Sequence, residues 1–528
     1  MSATSLMHAS TGDARMKARV DYIVDELHAC QQAAGTGLVC GFPDGSAQLD
    51  AAVAGRRFIG VPWYTMHKIF AGVRDAYLHG ESNAARGVLS ALADWTVTVT
   101  APMTDDEVQR MLRIEHGGMN EVLADVFAMT GDRKYLAAAR RFSHEALLAP
   151  LAESRDTLDG LHANTQIPKV VGFQRLFDLT GEDRYAASST FFWRTVVDRR
   201  SFVTGDHGDN EHFFPPAEFA THLPSAKTME TCGTHNMLRL TRLLFQAAPS
   251  SALADYYERA LYNGILASQD PESGMMTYFQ ATRPGYVRLF HTPDRSFWCC
   301  TGTGMENHAK YGDSIYFEDA DGVWVNLYIA STMTSKASGL SLRQTTRFPE
   351  EPRTRVEITS ARPTLAAIRV RQPGWCPDMR VSVNGRRASA RAGGDSYVIL
   401  DREWRPGDHI DVDLPMRLRT EALPGTTDIV AFVYGPIVLA GRLGRDGLSP
   451  GSQIIVNERE SGTMLNADVK VPTLTGDATS LVEHVQRDTH DPLVFRTVGI
   501  GRPHDVELAP YYRLAHERYN LYWKVASA

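Results

Sequence analysis

The chain of 528 residues is too long for a single compact core, so two or three domains are expected. Hydrophobic residues make up 43% of it and charged residues 22%, which is ordinary for a globular protein. The net charge of −7 excludes the basic surface with which proteins bind nucleic acid or anionic membranes. The first ten residues lack the basic and apolar regions of a secretory signal. We therefore expect a cytoplasmic protein with no nucleic-acid or membrane partner; no feature indicates an oligomeric state.

Residues 1–320 are predicted to be helices joined by short loops. From Arg15 to Gln32, apolar residues recur at helical spacing. Gly80, Gly131 and Gly181 lie 51 and 50 residues apart, and each is expected to end a helix as a left-handed C-cap. Such a repeat predicts helical hairpins that stack to bury their apolar faces. Closing the array gives an (α/α)6 helical toroid, and an open solenoid is the alternative.

A further helical hairpin is predicted from Met237 to Leu266, turning near Pro249. Residues 321–528 then have the pattern of an antiparallel β-sandwich region, divided near residue 425 if it holds two sandwiches. Strands are predicted at 323–329, 355–359, 367–371 and 409–413, and Asn384-Gly385 predicts a tight hairpin.

Three of the six cysteines lie in two short segments. Cys232 follows Glu230 by two residues, and Cys299 and Cys300 come 67 residues later. Adjacent cysteines do not readily form a disulfide with each other. If the fold joins the segments, three thiolates and one carboxylate suit a tetrahedral zinc ion. The alternative is that the cysteines are small buried residues and Glu230 caps a helix.

Four polar clusters lie at ends of the predicted helices, and in a toroid the loops at one rim face a central cup. Recurring histidine, asparagine and aromatic residues there suggest a sugar-sized pocket, although each histidine alone fits a structural role equally well. The clusters are Trp63-Tyr64-Thr-Met-His67-Lys68, Glu115-His116 with Asn120-Glu121, His162-Ala-Asn164-Thr-Gln166, and Asp206 to His212.

Several blocks resemble glycoside hydrolase families 127 and 146, which are retaining β-L-arabinofuranosidases with a helical toroid and β-sandwich domains. The resemblance runs from about residue 55 to the C-terminus, and its most specific parts are Glu230-Thr-Cys232 and Trp298-Cys299-Cys300. The other blocks are Val61 to Lys68, Asn210 to Phe213, Gly302 to Lys310, and Tyr434 to Ala440.

The resemblance implies a role for each matching residue. It makes Glu230, Cys232, Cys299 and Cys300 the ligands of a Zn2+ cofactor, and Cys299 also the nucleophile. It places the general acid/base at Glu211, with Glu218 as a rival. It further implies that His116 and His162 bind the sugar, as do Trp63, Tyr64 and His67. The substrate would be a terminal β-L-arabinofuranose on a small oligosaccharide or glycoconjugate.

The proposed acid role requires Glu211 to keep its proton near neutral pH, which needs apolar or anionic surroundings. Phe213 and Phe214 are candidate apolar walls. Three other readings stay open: a zinc-water hydrolase, a carbohydrate-binding protein with a structural zinc, and an isomerase or epimerase, since helical toroids host those too.

Overall fold

The computed structural model describes residues 1–42, 44–56, 58–388, 391–392 (backbone only), 396–461, 469–478 and 480–526. It divides into two compact units. Unit 1 comprises Met1–Asp198 with Met305–Lys310, and unit 2 comprises Arg199–Gly304 with Tyr311–Ala528. Within the described ranges, no helix has both the length and the apolar character needed to cross a membrane.

Helices dominate the first 309 residues. They are α1 (Ser2–Thr11), α2 (Ala14–Ala34), α3 (Ala47–Val53), α4 (Pro62–Leu78), α5 (Asn83–Thr100), α6 (Asp105–Met111), α7 (Met119–Thr130), α8 (Arg133–Arg141), α9 (Glu145–Ala152), α10 (Ala163–Thr180), α11 (Asp183–Arg199), α12 (Phe219–His222), α13 (Thr231–Ala247), α14 (Ser251–Ala260) and α15 (Cys299–Ala309). A π-helical turn at Leu261–Ile265 follows α14.

Unit 1 is built from helical hairpins, as the 50-residue spacing predicts. Helix α4 packs against α5 and α7, and α7 packs in turn against α8 and α10. Gly131 and Gly181 are left-handed C-caps with φ of 75° and 69°, and their amides donate to the carbonyls of Phe127 and Phe177. Both caps confirm the prediction and fix where each hairpin turns.

The prediction is wrong at Gly80, because α4 ends instead with His79 at a φ of −119°. Glycine is needed here for space: a Cβ on Gly80 would lie 2.9 Å from Val20 Cγ1 and 2.8 Å from the Ala76 carbonyl oxygen. Glycine is thus required just beyond the end of α4 for a packing reason rather than a conformational one.

Strands begin at Tyr316. They are β1 (Tyr316–Glu318), β2 (Gly322–Val325), β3 (Ser331–Thr334), β4 (Ser341–Thr346), β5 (Arg353–Ile358), β6 (Thr364–Arg371), β7 (Arg380–Val383), β8 (Arg386–Arg387), β9 (Arg391–Ala392), β10 (Tyr397–Trp404), β11 (His409–Asp413), β12 (Leu418–Ala422), β13 (Ile429–Tyr434), β14 (Ile437–Arg442), β15 (Thr473–Thr475), β16 (Val485–Arg487), β17 (Phe495–Thr497), β18 (Gly501–Arg502), β19 (Glu507–Pro510), β20 (Tyr519–Asn520) and β21 (Trp523–Ala526).

Strands β1 to β11 form a sandwich of two sheets in unit 2. One sheet has the order β1-β2-β6-β10-β9 and the other β3-β4-β5-β11-β7-β8. Their facing apolar side chains, such as Val370 and Val412, share one buried core. Asn384 and Gly385 connect β7 and β8 with φ of 52° and 75°, the tight turn that their sequence predicts.

Strands β12 to β21 form a third sheet with a buried core on each face. The alternation of Ala431 and Val433 with Phe432 and Tyr434 along β13 sends side chains to both cores. A segment rich in aromatic residues, from Tyr511 to Tyr519, docks within the same unit: Tyr519 pairs with Tyr286, and the buried Arg288 guanidinium lies 4.1 Å from the centre of the Tyr511 ring.

Candidate metal centre and active site

The two cysteine segments meet in unit 2 at the starts of two helices. Glu230 is the N-cap of α13 and Cys232 lies in its first turn, while Cys299 and Cys300 open α15. The amide groups at helix N-termini favour nearby negative charge, which suits both thiolate and carboxylate groups. Both helices therefore present their anion-binding ends to the same place.

The four side chains are close enough to share one ion. One ligand atom from each of Glu230, Cys232, Cys299 and Cys300 lies within 4.8 Å of all the others. The Cys300 Sγ lies 3.2 Å from Cys232 Sγ and 3.9 Å from Cys299 Sγ, and Cys299 Sγ lies 3.9 Å from Glu230 Oε1. Tetrahedral zinc with bonds of ~2.3 Å to sulfur separates two sulfurs by about 3.8 Å, which the two observed sulfur distances bracket.

Burial explains why these groups need a cation. Cys232 and Cys300 are fully buried, and Glu230 is 5% exposed. Burial and the adjacent thiols raise the pKa of Cys232 and Cys300 well above that of an ordinary thiol. A bound cation would offset that cost of ionisation, so this cluster of thiols and carboxylate could hold a metal ion.

Glu211 reaches the cluster through a strained turn. Asp209 and His212 exchange backbone hydrogen bonds of 3.0 Å, and the two residues between them, Asn210 and Glu211, have φ of 44° and 71°. A positive φ at both central positions defines a type I′ turn, which is unfavourable for a glutamate by about 1–2 kcal/mol. Such strain is characteristic of functional positions.

Tyr278, which the sequence analysis does not single out, connects Glu211 to Cys299. Its hydroxyl donates to Glu211 Oε1 and lies 3.6 Å from Cys299 Sγ. Burial and the carboxylate of Glu230 raise the pKa of Tyr278, so the phenol stays protonated and remains a donor. A carboxylate oxygen of Glu211 also lies within 4.8 Å of one from Glu230.

The rival carboxylate, Glu218, is exposed in a short 3-10 turn, Pro216–Glu218. The candidate walls of Glu211 make other contacts. Phe213 stacks on His207 at 5.4 Å between ring centres, and Phe214 stacks on His222 at 3.9 Å. The groups close to Glu211 include the Tyr278 hydroxyl and the Glu230 carboxylate.

The predicted sugar-binding residues all lie in unit 1. Trp63 belongs to an aromatic core there: its indole N–H points at Met111 Sδ at 3.1 Å, and its ring meets that of Phe142 at 5.1 Å. His67 is buried with Nε2 3.9 Å from Glu121 Oε2, and the ring of Tyr64 lies 6.5 Å from that of His67.

His116 and His162 have opposite tautomers in their neutral forms. His116 Nδ1 lies 3.0 Å from the carbonyl oxygen of Ile114 and must donate to it, which leaves Nε2 as an acceptor. Burial and the charge of Lys169 lower the pKa of His116, so the ring stays neutral. His162 is the N-cap of α10, and its Nδ1 accepts from the Thr165 amide, so its Nε2 carries the proton. The pair supplies one acceptor and one donor.

Taken together, the fold and this site define a protein of helical and β-sandwich domains with a buried, thiol-rich centre suited to a metal ion. Comparison with protein-family models identifies the class to which the chain belongs. The GH127 catalytic domain of β-L-arabinofuranosidases matches residues 1–313, the GH127 middle domain matches 322–416, and a domain of unknown function matches 419–525. The chain therefore belongs to the GH127 β-L-arabinofuranosidase family.

Individual proteins similar to this chain have the same family description. A non-reducing end β-L-arabinofuranosidase of Bifidobacterium longum subsp. longum is 26% identical over 398 residues, which are 69% of this chain and 58% of that protein. The chain thus spans less than two thirds of that relative's length. The GH127 β-L-arabinofuranosidase Ara127N-Se from Geobacillus stearothermophilus T6 superposes with a TM-score of 0.75 at 16% identity, covering 99% of this chain and 89% of that one.

A third relative, the GH127 β-arabinofuranosidase BT3674, has a TM-score of 0.73 at 19% identity and covers 99% of this chain and 87% of its own. These likenesses confirm the fold class predicted from the sequence, an (α/α)6 helical toroid followed by antiparallel β-sandwich domains. Among the described strands, β2 with β6 and β15 with β21 run parallel, so the sheets are mostly rather than wholly antiparallel.

Proposed function

We propose that this protein is a retaining glycoside hydrolase that releases terminal β-L-arabinofuranose, with Cys299 as the nucleophile and Glu211 as the general acid/base. The observation that carries the proposal is the chain of contacts in unit 2 from the Glu230–Cys232–Cys300 cluster through Cys299 and Tyr278 to Glu211. The identity of the sugar is taken from the family, whose members are described as β-L-arabinofuranosidases.

In this proposal the cluster holds zinc through Glu230, Cys232, Cys299 and Cys300. When bound, zinc would supply the charge that keeps a cysteine sulfur deprotonated at neutral pH. The donor set fits that ion, because three soft sulfur ligands and one carboxylate at tetrahedral spacing are typical of zinc.

The chain's own residues then perform a two-step displacement. Cys299 Sγ attacks the anomeric carbon, forming a carbon–sulfur bond as the glycosidic carbon–oxygen bond breaks, and Glu211 gives its proton to the departing oxygen. In the second step Glu211 takes a proton from water, whose oxygen displaces the sulfur. Two displacements at one carbon retain its configuration.

Tyr278 has a positioning role in this scheme. Its hydroxyl donates to one oxygen of Glu211, so the proton of the acid form is carried by the other oxygen. The exposed position of Glu218 supports Glu211 as the acid/base of the two. We further propose, as the resemblance implies, that His116 and His162 bind the sugar, as do Trp63, Tyr64 and His67.

We also propose the domain division expected from the sequence, with a catalytic domain to about residue 320 and sandwiches divided near residue 425. Two features support it. Helices give way to strands between Ala309 and Tyr316, and the third sheet starts at Leu418.

The first test is release of the aryl group from an aryl β-L-arabinofuranoside, with the zinc content of each sample measured. Cys299→Ser should abolish release in a folded protein, because a serine hydroxyl is a far weaker nucleophile than a thiolate. Cys376→Ser, which alters a buried cysteine of the sandwich core, is the matched control and should keep its activity.

Other results would favour the other readings. Activity that persists in Cys299→Ser but needs zinc would favour a metal-bound water as the nucleophile. Sugar binding without hydrolysis, with Cys299→Ser losing stability alone, would favour a binding protein with a structural ion. Interconversion of a sugar without release would favour an isomerase.

A further inference from the structure

Thr303, like Tyr278, contacts the cluster without being one of the four ligands. Thr303 lies one turn after Cys299 on α15 and is 4% exposed. Its hydroxyl oxygen is 3.1 Å from Cys232 Sγ, on the other helix, and 3.4 Å from the carbonyl oxygen of Cys299. Thr303 therefore bridges the two segments that supply the cluster.

A threonine hydroxyl has one proton, so only one of these two contacts can be its donation. A threonine within a helix ordinarily donates to the carbonyl four residues earlier, which here is Cys299. A cysteine sulfur that binds a cation carries negative charge and has no proton to give, so it can only accept. A charged acceptor at 3.1 Å is preferred over a neutral carbonyl at 3.4 Å.

We propose that Thr303 is a positioning residue of the metal centre, whose hydroxyl donates to Cys232 Sγ and holds that sulfur in place for the ion. The inference rests on the metal centre of the proposed function and adds a residue that contacts neither ion nor substrate. Hydrogen bonds of this kind orient metal ligands, and their loss typically weakens metal affinity by about 10–100-fold.

The neighbouring sulfur makes an added donor to Cys232 useful. Cys232 is fully buried, and its Sγ is within 3.2 Å of Cys300 Sγ, a partner that would also be negatively charged around an ion. Two like-charged sulfurs repel, so a donor on the opposite helix helps to keep Cys232 Sγ at ligand distance. Thr303 supplies that donor from the same helix that carries Cys299 and Cys300.

The test is zinc affinity of the purified full chain, measured by competition with a chromogenic chelator. Thr303→Val keeps the shape of the side chain but removes the hydroxyl, and we expect zinc to be held about 10–100-fold more weakly. Thr303→Ser keeps the hydroxyl and should stay within about threefold of the wild type. Thr303→Ala is the second variant, with the same loss expected if valine impairs folding.

The control is Thr96→Val. Thr96 is a fully buried helical threonine whose hydroxyl donates to the Leu92 carbonyl four residues earlier, and it lies in unit 1. It reports the effect of losing a buried helical hydroxyl as such, and its zinc affinity should equal that of the wild type.

The outcomes separate this inference from the proposed activity. Unchanged zinc affinity in folded Thr303→Val and Thr303→Ala would overturn the inference, as would a wild type that binds no zinc. A wild type that binds zinc but releases no arabinose would overturn the proposed sugar, while the affinity series would still decide the role of Thr303.

Discussion

Glu211 and Glu218 differ in their surroundings more than in their chemistry. Glu211 accepts from the Tyr278 hydroxyl and lies beside the Glu230 carboxylate, whereas Glu218 is exposed. A general acid must be held against the bond that it protonates. Only the position of Glu211 is fixed in this way.

We therefore expect Glu211→Gln to lower kcat/KM by about 10²–10⁴-fold and Glu218→Gln to leave it within about twofold. The loss in Glu211→Gln should be larger for an alkyl or sugar leaving group than for nitrophenol, because nitrophenolate departs with little help from an acid. Steady-state kinetics with one substrate of each kind measures the difference. If only Glu218→Gln lowered kcat/KM, Glu218 rather than Glu211 would be the general acid/base.

The residues of the site differ in how visible they are in the sequence. Cys232, Cys299 and Cys300 stand out because cysteine is rare in this chain and two of them are adjacent. Tyr278 and Thr303 do not, because tyrosine and threonine are common in this chain, and the block from Gly302 to Lys310 does not reveal that the Thr303 hydroxyl contacts Cys232. Their importance arises from contacts between segments distant in the chain, which no local pattern records.

At the scale of elements, a buried ion network ties α14 to the sandwich within unit 2. The fully buried guanidinium of Arg371 on β6 donates to Glu258, at 2.6 Å, and to Asp255. The indole of Trp375 donates to the other oxygen of Glu258 at 2.8 Å. Burial raises the pKa of Glu258, and the positive charge of Arg371 partly offsets that rise.

Replacing Arg371 with an uncharged residue should strongly lower the free energy of unfolding. Arg371→Met leaves two carboxylates without their shared partner, and breaking a buried pair typically costs about 3–5 kcal/mol. Arg355→Met is the matched control, because Arg355 pairs with Asp411 on the surface of the same sandwich, at 2.6 Å, and such pairs contribute about 0–1 kcal/mol. Urea unfolding of both variants gives the comparison; equal losses would mean that the buried network does not stabilise this junction.

Elements were predictable where one local rule decides the conformation. Gly131 and Gly181 follow such a rule, as does the hairpin of Asn384 and Gly385. Gly80 does not, since the demand for glycine there comes in part from Val20 on a different helix. The stretch from Gln269 to Trp298 is likewise irregular, with isolated bridges such as that between Glu230 and Phe279 in place of helices.

At the scale of the whole molecule, the change from helical to alternating periodicity near residue 316 predicts two structural classes, and the structure has both. The compact units, however, divide the chain near residue 198. Sequence pattern cannot reveal that division, because α13 and α14 have the same helical periodicity as the helices before them. Contacts such as that between Glu258 and Arg371 assign those helices to unit 2.

The stability of the chain should depend on pH through a buried carboxyl in unit 2. Asp206 is fully buried, accepts from the Thr234 hydroxyl and packs against Gly264. Burial raises the pKa of Asp206 to about 6, from 3.8 for an ordinary aspartate. Because the folded state holds this proton more tightly than the unfolded state, the stabilisation is complete below about pH 4 and is lost as the pH rises through about 6.

Asp206→Asn keeps the size of the side chain and stays neutral at every pH. Raising the pKa of this carboxyl from 3.8 to about 6 corresponds to ~3 kcal/mol in all, most of which falls between pH 4 and pH 7.5, so the variant should gain about 2–3 kcal/mol over the wild type across that range. Urea unfolding of both proteins at these two pH values measures it. The adjacent His207, whose pKa burial lowers to about 4, titrates in the opposite sense but is common to both proteins and cancels in the difference. A difference that does not change with pH would show that Asp206 is ionised in the folded protein throughout this range.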